Sequence, residues 1–446
     1  MILRDLHTNL PPLELYRRVS EGSETSFLLQ SAEGPRRLAR FSMLGFDPRA
    51  LVRLREGRCD VEDASRTSSS EDTLAAAVRV LLARHRPHVP EVRYLGGLVG
   101  YFAYEYAASL EKIPRRSLSD GFADAELGLY LDGVVFDHAE GRAFYFSHGE
   151  DRFEEVCRRA ARPAAAHPAP RLASPLSRFP ERATFEKAVE RAQDHIRAGD
   201  IFQAVVSKRT TARVEGDLLD VYAKLVARNP SPYMYVLRYG DRWIVGGSPE
   251  MLVRVQDGVV ETFPIAGTRP FGADPRENDR LASELAADEK ERAEHAMLVD
   301  LARNDVGRVA QFGSVEVAES MRIERYSHVQ HLVSRVRGKL RAGLDGMDAF
   351  DALFPAGTVT GAPKVRAMEI LHALEASARG PYAGAVGYFS FNGSVDSAIT
   401  LRTLVARGGQ ASVQAGAGVV ADSVPEREWE ETEAKARALV SILEGA

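Results

Sequence analysis

Four strand-like segments follow one another between residues 203 and 256, and this run limits the possible folds more than any other feature. Residues 203–213 alternate in polarity like a strand. Residues 233–239, 243–246 and 252–256 read as consecutive antiparallel strands joined by Gly or Asp turns. Further strands are expected at 26–29, 51–54, 133–137 and 143–147, and helices at 11–19, 73–84, 183–198, 283–299 and 426–443. Gly199 stops the helix at 183–198, and Ser283 is the expected N-cap of the one that follows it. Hairpins interleaved with helices indicate an α+β protein, not a doubly wound parallel sheet.

The chain has 446 residues, enough for one large domain or two to three ordinary ones. Its seam is residues 161–180, ARPAAAHPAPRLASPLSRFP, where prolines leave no room for a sustained helix or strand. The expected organisation is 1–160 before the seam, 161–180 as linker or crossover, and 181–446 after it. A second polar loop is expected at 62–72. The net charge is −5, with both signs interleaved. That balance argues against a nucleic-acid binder, which needs a concentrated basic face, and against an anionic membrane partner. No apolar run is long enough to span a membrane. The N-terminus, MILRDLHTNLPP, lacks the apolar stretch of a signal peptide. Cys59 and Cys157 have no metal-ligand spacing, so a reducing, cytoplasmic location is expected.

Two charged helices carry glutamates at i, i+3: Glu291 and Glu294, and Glu428 and Glu431. Each pair projects from one helix face, and Lys435 shares the face of Glu431. Such helices are usually solvated surface. Brought together, the two faces would suit a hard cation such as Mg2+, which takes one or two carboxylates and keeps positions for water and an anionic ligand. FPAGTVTGAPK (354–364) reads as a ligand-binding loop or a tight turn, with the Thr358 hydroxyl on offer. VQAGAGVV (413–420) reads as a strand in which Gly416 and Gly418 admit close approach to the backbone, by a ligand or by a crossing strand. Arg402 lies in an apolar strand pattern, ITLRTLV, and must face solvent, pair structurally or grip a carboxylate.

Taken together, the motifs resemble the chorismate-utilising enzymes and, among them, the large subunits (component I) of anthranilate synthases. The resemblance rests on GDIFQAVVSKR (199–209), GGSPEML (246–252), PIAGTRP (264–270), AEHAMLVDLARNDVGRV (293–309), YSHVQHLVS (326–334), FPAGTVTGAPK, YAGAVGYFS (382–390) and VQAGAGVVADSVPE (413–426). FLLQSAEGPRRLARFSMLGFDP (27–48) and GGLVGYFAYE (96–105) extend it into the N-terminal part. It implies a large α/β sandwich around two packed antiparallel sheets, built by both halves of the chain.

The resemblance also implies the chemistry. Water-adding relatives have a lysine base where this chain has Gln203, and an amide cannot take a proton from water at neutral pH. Aminodeoxychorismate synthases have a nucleophilic lysine where this chain has Ala266. What remains is attack by ammonia at C2 of chorismate with loss of the C4 hydroxyl, then elimination of pyruvate to give anthranilate, the first step of tryptophan biosynthesis. In the roles implied, Glu250 is the proton donor, His331 serves the elimination, and Gln203 and Thr268 complete the catalytic set. Mg2+ lies on Glu294 and Glu431, with Glu291 and Glu428 as ligands or close supports. Thr358, Gly361 and Lys435 stand on the ring-carboxylate side, and Arg402, Tyr382, Gly416 and Gly418 receive the enolpyruvyl carboxylate. No amidotransferase motif is present, so a separate glutaminase subunit (component II) in a hetero-oligomer is implied. Relatives of this type bind tryptophan as a feedback inhibitor between two segments represented here by Gln30 and Ser31 and by Pro232, Tyr233 and Met234. Gln30 replaces the usual glutamate, which implies a weaker grip on the inhibitor. An aminodeoxyisochorismate synthase that stops after amination would share Gln203 and Ala266. A non-catalytic homologue would have lost the four glutamates.

Overall fold

Strand Tyr233–Tyr239 pairs antiparallel with Arg242–Ser248 on one side and with Thr25–Gln30 on the other. The computed structural model describes residues 1–32, 40–63, 66–85, 87, 92–118, 120–271, 274–325 and 329–445. Parts of two motifs, residues 33–39 and 326–328, therefore lie outside the described residues.

Two antiparallel sheets result. The first runs Ile2–Asp5, Arg142–Ser147, Asp132–Asp137, Phe41–Phe46, Thr25–Gln30, Tyr233–Tyr239, Arg242–Ser248, Thr403–Arg407, Gln410–Val419 and Gln203–Glu215. The second runs Ile265–Pro270, Val329–Lys339, Val259–Thr262, Met251–Gln256, Val395–Ile399, Ala385–Ser390, Gly97–Phe102, Ala125–Tyr130, Ala50–Arg55 and Arg58–Asp63. Each sheet joins early and late parts of the sequence, through Thr25–Gln30 against Tyr233–Tyr239 and Gly97–Phe102 against Ala385–Ser390. Phe27, Phe146 and Tyr235 from the first sheet and Tyr101, Tyr130 and Tyr388 from the second share one buried core. Edge-to-face contacts such as Phe27 on Tyr130, 4.6 Å between ring centroids, add to the burial. Helices cover the outer faces: Pro12–Val19, Leu218–Arg228 and Pro425–Leu443 on the first sheet, Leu74–Leu82, Glu289–Gly307 and Gly346–Leu353 on the second. The sandwich and its construction from both halves of the chain agree with the sequence reading.

The chain changes sheets twice at one place. It leaves the first sheet after Arg242–Ser248 and enters the second at Met251–Gln256. It returns after Val395–Ile399 to Thr403–Arg407. The crossovers are tied by the Ile399 N–H to the Glu250 carbonyl at 3.1 Å and the Gly247 N–H to the Arg402 carbonyl at 3.4 Å.

Four expectations need correction. Ser283 is not an N-cap: it lies inside helix Pro275–Ala287, with its hydroxyl donated back to Asp279 O at 2.8 Å. Asp288 starts the following helix instead, its carboxylate accepting the N–H groups of Lys290 and Glu291. The loop expected at 62–72 belongs to a hairpin of Arg58–Asp63 and Arg66–Glu71, whose second strand ends the second sheet. Within the seam, Arg171–Leu172 and Ser177–Phe179 pair along Gln203–Glu215, as short edge strands between prolines. The loop of FPAGTVTGAPK contains one helical turn, Gly357–Thr360, ended by Gly361 at φ 139°.

Candidate active site

Glu250 stands on the first crossover and is 8% exposed. Burial pushes its pKa up to about 8, while Thr358 and Lys435 pull weakly the other way. Its carboxyl is therefore the neutral acid at pH 7. The cavity beside it is lined by Leu252, Leu298, Leu301, Leu353 and Thr358, among others, which accounts for the poor solvation. The Thr358 hydroxyl is buried and turns toward the Glu250 carboxyl.

Arg402 stands on the second crossover with φ 45°, a left-handed conformation that breaks the strand expected around it. A change of sheet preserves the apolar pattern on both sides, so the break is invisible in the sequence. Burial lowers the Arg402 pKa, and no described side chain forms an ion pair with its guanidinium. A half-buried cation with no described counterion is costly, and a carboxylate ligand would relieve that cost.

His331 and Thr268 face each other across paired strands. His331 Nδ1 lies 3.0 Å from Gly267 O and 3.1 Å from the Thr268 hydroxyl. A carbonyl only accepts, so Nδ1 carries the hydrogen and Nε2 is the acceptor nitrogen. Burial lowers the pKa of the ring, and nearby Arg402 lowers it further.

Gln203 begins its long strand and donates Nε2–H to Glu294 Oε1 at 3.4 Å, whereas its amide oxygen is buried without a donor. A Cβ on Gly418 would come 2.6 Å from that Nε2, and one on Gly416 would come 2.7 Å from the Tyr382 hydroxyl. The two glycines thus give room to side chains of the site. Lys435 joins this wall, donating to Gly416 O at 2.9 Å and pairing with Glu431 at 2.6 Å. Gly361 differs: its Cβ would strike Gln203 O at 2.1 Å, so its part is to let the turn close on the strand.

The glutamates converge unevenly. Burial raises the Glu294 pKa first, then the charges of Glu291 and, more weakly, Glu431. Burial and Glu431 raise Glu428. Glu291 turns instead to Arg269 at 3.2 Å. Among the described residues no three His, Cys, Asp or Glu side chains form a preformed metal cage. Glu294 and Glu428, both raised, nevertheless form with the charge of Glu431 a donor set that a hard cation would relieve.

The structure thus draws Glu250, His331, Thr268, Gln203, Thr358, Tyr382, Arg402, Gly416, Gly418, Lys435, Glu294 and Glu431 around the crossovers. Gln30, Ser31, Pro232, Tyr233 and Met234 lie apart and together line a second cavity, with Arg93, Tyr388 and Asp396. The sequence reading missed the buried pairs Arg379–Glu375 and Lys364–Asp305 that underlie the site. Their only signal was charge inside otherwise apolar segments.

The model of a chorismate binding enzyme family matches residues 11–441. Anthranilate synthase component 1 of Methanothermobacter thermautotrophicus is 48% identical over 97% of this chain and 92% of its own length. That of Thermus thermophilus is 44% identical over 100% and 97%. The crystal structure of anthranilate synthase component I from Streptococcus pneumoniae TIGR4 superposes with a TM-score of 0.81 at 36% identity, covering 90% of this chain and 92% of that one. MenF, the menaquinone-specific isochorismate synthase of Escherichia coli, shares the fold with a TM-score of 0.75 at 21% identity, over 99% and 93%.

Proposed function

The chain belongs to the chorismate binding enzymes, and from that premise we propose that it works as the large subunit of an anthranilate synthase. It converts chorismate and ammonia to anthranilate and pyruvate. The observation that carries this reading is the pairing of a neutral buried acid, Glu250, with an amide, Gln203, whose oxygen is buried without a donor. Loss of the C4 hydroxyl as water needs a proton, and Glu250 holds one at pH 7. Ammonia bonds to C2 and then sheds a proton, so Glu250 can be reprotonated without an outside acid. Gln203 Oε1 accepts an N–H of the incoming ammonia and offers no base to water. Arg402 receives the enolpyruvyl carboxylate beside the Tyr382 hydroxyl. His331, with its hydrogen on Nδ1, takes the C2 proton on Nε2 as the C3–O bond breaks, and the departing enolate gains a proton at its methylene carbon to become pyruvate.

Glu294 and Glu431, with Glu428 beside them, would hold Mg2+, which when bound supplies positive charge to orient and polarise the ring carboxylate. Lys435 and Thr358 stand on the same side. Ammonia comes from glutamine through a separate glutaminase subunit, in keeping with the name component 1 carried by the relatives. The second cavity binds tryptophan as a feedback inhibitor: its apolar walls suit an indole, and all five residues expected there line it.

The test is chorismate with ammonium and Mg2+, followed by anthranilate fluorescence and pyruvate release. Anthranilate with equimolar pyruvate is expected. Accumulation of an aminated diene without pyruvate would overturn the reading.

A further inference from the structure

Strand Gln203–Glu215 is covered along one edge in three separate places, the last of them by Arg171–Leu172 against Val214 and Glu215. Gly361–Ala362 pairs with Gln203 and Ala204, and Ser177–Phe179 pairs with Arg209 to Thr211. Among the described residues, no strand covers that edge between Val205 and Lys208. Alternate residues of a strand aim both backbone polar groups at the same edge, and buried groups of this kind need partners.

Two side chains supply them. Arg379 Nη2 donates to Val205 O at 2.6 Å. Glu375 Oε1 accepts the Ser207 N–H at 2.9 Å and the Ser207 hydroxyl at 2.8 Å. The two side chains hold each other in a bidentate pair, Nε to Oε2 and Nη2 to Oε1, both at 2.8 Å. The remaining arm, Nη1, donates to Val359 O at 2.8 Å. Arg379 is 2% exposed, with its guanidinium 4.5 Å from the Tyr104 ring centroid and 5.9 Å from that of Tyr382. Its own backbone is fixed from the N-terminal half: Glu105 accepts the N–H of Arg379 at 2.7 Å and of Gly380 at 3.0 Å.

We propose that Arg379 and Glu375 are positioning residues that stand in for a missing strand and lock the strand bearing Gln203 to the turn bearing Thr358. The inference rests on the reading of those two residues as parts of the reaction site. A buried ion pair is weak evidence for stability in itself, because apolar residues of similar volume often serve as well. The fork of a guanidinium does what they cannot: it fixes two carbonyls on separate segments at one distance. Gln203 lies two residues from Val205, and Thr358 lies next to Val359. The clamp therefore sets the separation of the two walls between which substrate must fit.

The test compares Arg379→Lys and Glu375→Gln with the wild type for kcat, for KM of chorismate and ammonium, and for thermal melting. Lysine keeps the charge but not the fork. A fall in kcat/KM of about 10- to 100-fold, the scale of a misplacement near 1 Å, is expected for Arg379→Lys, with a smaller fall for Glu375→Gln. A merely structural role would act independently of Thr358, so the decisive readout is the double variant Arg379→Lys/Thr358→Ala. Its loss should be well short of the sum of the single losses. Additive losses, or single variants within twofold of the wild type, would overturn the proposal. If Arg379→Lys fails to fold, Glu375→Gln with Thr358→Ala gives the same comparison. A wild type that makes no anthranilate would sink the functional reading instead, a result seen before any variant is made.

Discussion

Gly247 donates its backbone N–H to the carbonyl of Arg402 at 3.4 Å, and so ties together two of the points at which the chain changes sheets. Backbone leaving a sheet cannot continue the ladder, so crossovers leave polar groups and side chains aimed into the gap between the layers. Here that gap receives an acid from one crossover and a cation from the other. Glu250 and Arg402 are thus held by the sandwich itself, a more rigid support than a surface loop.

The raised pKa of Glu250 has two consequences with one sign. Its folded value of about 8 lies above the ordinary glutamate value of 4.5, so the folded protein holds an extra proton between those limits. Stability linked to this group is fully present below about pH 4.5 and is lost as pH rises through about 8. Donor activity should fall over the upper part of the same range. Glu250→Gln should abolish turnover. It should also raise stability above pH 8 by a few kcal/mol, since each tenfold change in proton affinity is worth about 1.4 kcal/mol. Melting curves against pH for both proteins check this, and parallel curves would contradict the assignment.

Arg402 is expected to trade stability for binding. Arg402→Met removes charge-assisted hydrogen bonds to a carboxylate, worth about 2–3 kcal/mol, so kcat/KM for chorismate should fall roughly 30- to 150-fold or more. It also removes a half-buried cation with no described ion-pair partner, so the variant should melt no lower than the wild type. A large drop in melting temperature would point to a structural ion pair instead.

The two glycines that approach Gln203 should behave in opposite ways. Gly361→Ala drives a Cβ into backbone at 2.1 Å and strains a residue at φ 139°, so it should cost about 1–3 kcal/mol of stability or more. Gly418→Ala meets only the end of the Gln203 side chain, at 2.6 Å, and that amide can swing away. Melting should barely change there, while KM for ammonium rises about tenfold or more through misplacement of the amide. Equal effects on melting from the two variants would refute the distinction.

Much of this site was legible in the sequence because its chemistry sits in short motifs. The i, i+3 glutamates, the glycines of 413–420 and the threonine of 354–364 stand out by residue type and spacing, but each alone reads as ordinary surface, turn or strand, and only the assembled motifs make them a site. Arg402 was read as a strand residue because the apolar pattern continues on both sides of a crossover and does not record which sheet a strand joins. Ser283 was a chemically sound cap, but Asp288 offers its carboxylate to two N–H groups and starts the helix there. Glu291 shares a helix face with Glu294, yet Arg269, distant in sequence, draws it aside. The Arg379 clamp was invisible because it fills a gap in a sheet edge, and such a gap exists only once the strands are paired.

Mg2+ should stabilise the protein before any substrate is added. Binding to the folded state at 100 times Kd contributes about 2.7 kcal/mol, so melting should shift upward with Mg2+ and be restored by chelation. Glu431→Gln removes one carboxylate and releases Lys435 from its pair at 2.6 Å. It should lose the Mg2+ shift and turnover while keeping its fold. Retained turnover would refute the ligand assignment.

On the proposed reading of the second cavity, Gln30 sets how tightly it holds tryptophan. Its amide oxygen already accepts the Tyr222 hydroxyl at 3.0 Å, so it meets an ammonium group as a neutral, shared acceptor. Asp396, the carboxylate in the same cavity, is held by Arg254 at 2.6 Å and Tyr233 at 3.0 Å and offers little compensation. Gln30→Glu keeps the side-chain length and the acceptor for Tyr222 and adds a charge. A charge-assisted bond in place of a neutral one is worth about 1–1.5 kcal/mol more, so tryptophan should inhibit at roughly tenfold lower concentration. Met234 lines that cavity and packs on Gly247, its sulfur 2.4 Å from where a Cβ there would stand. Inhibition curves for the two proteins at matched chorismate check the prediction, and coincident curves would show that residue 30 does not meet the inhibitor's ammonium group.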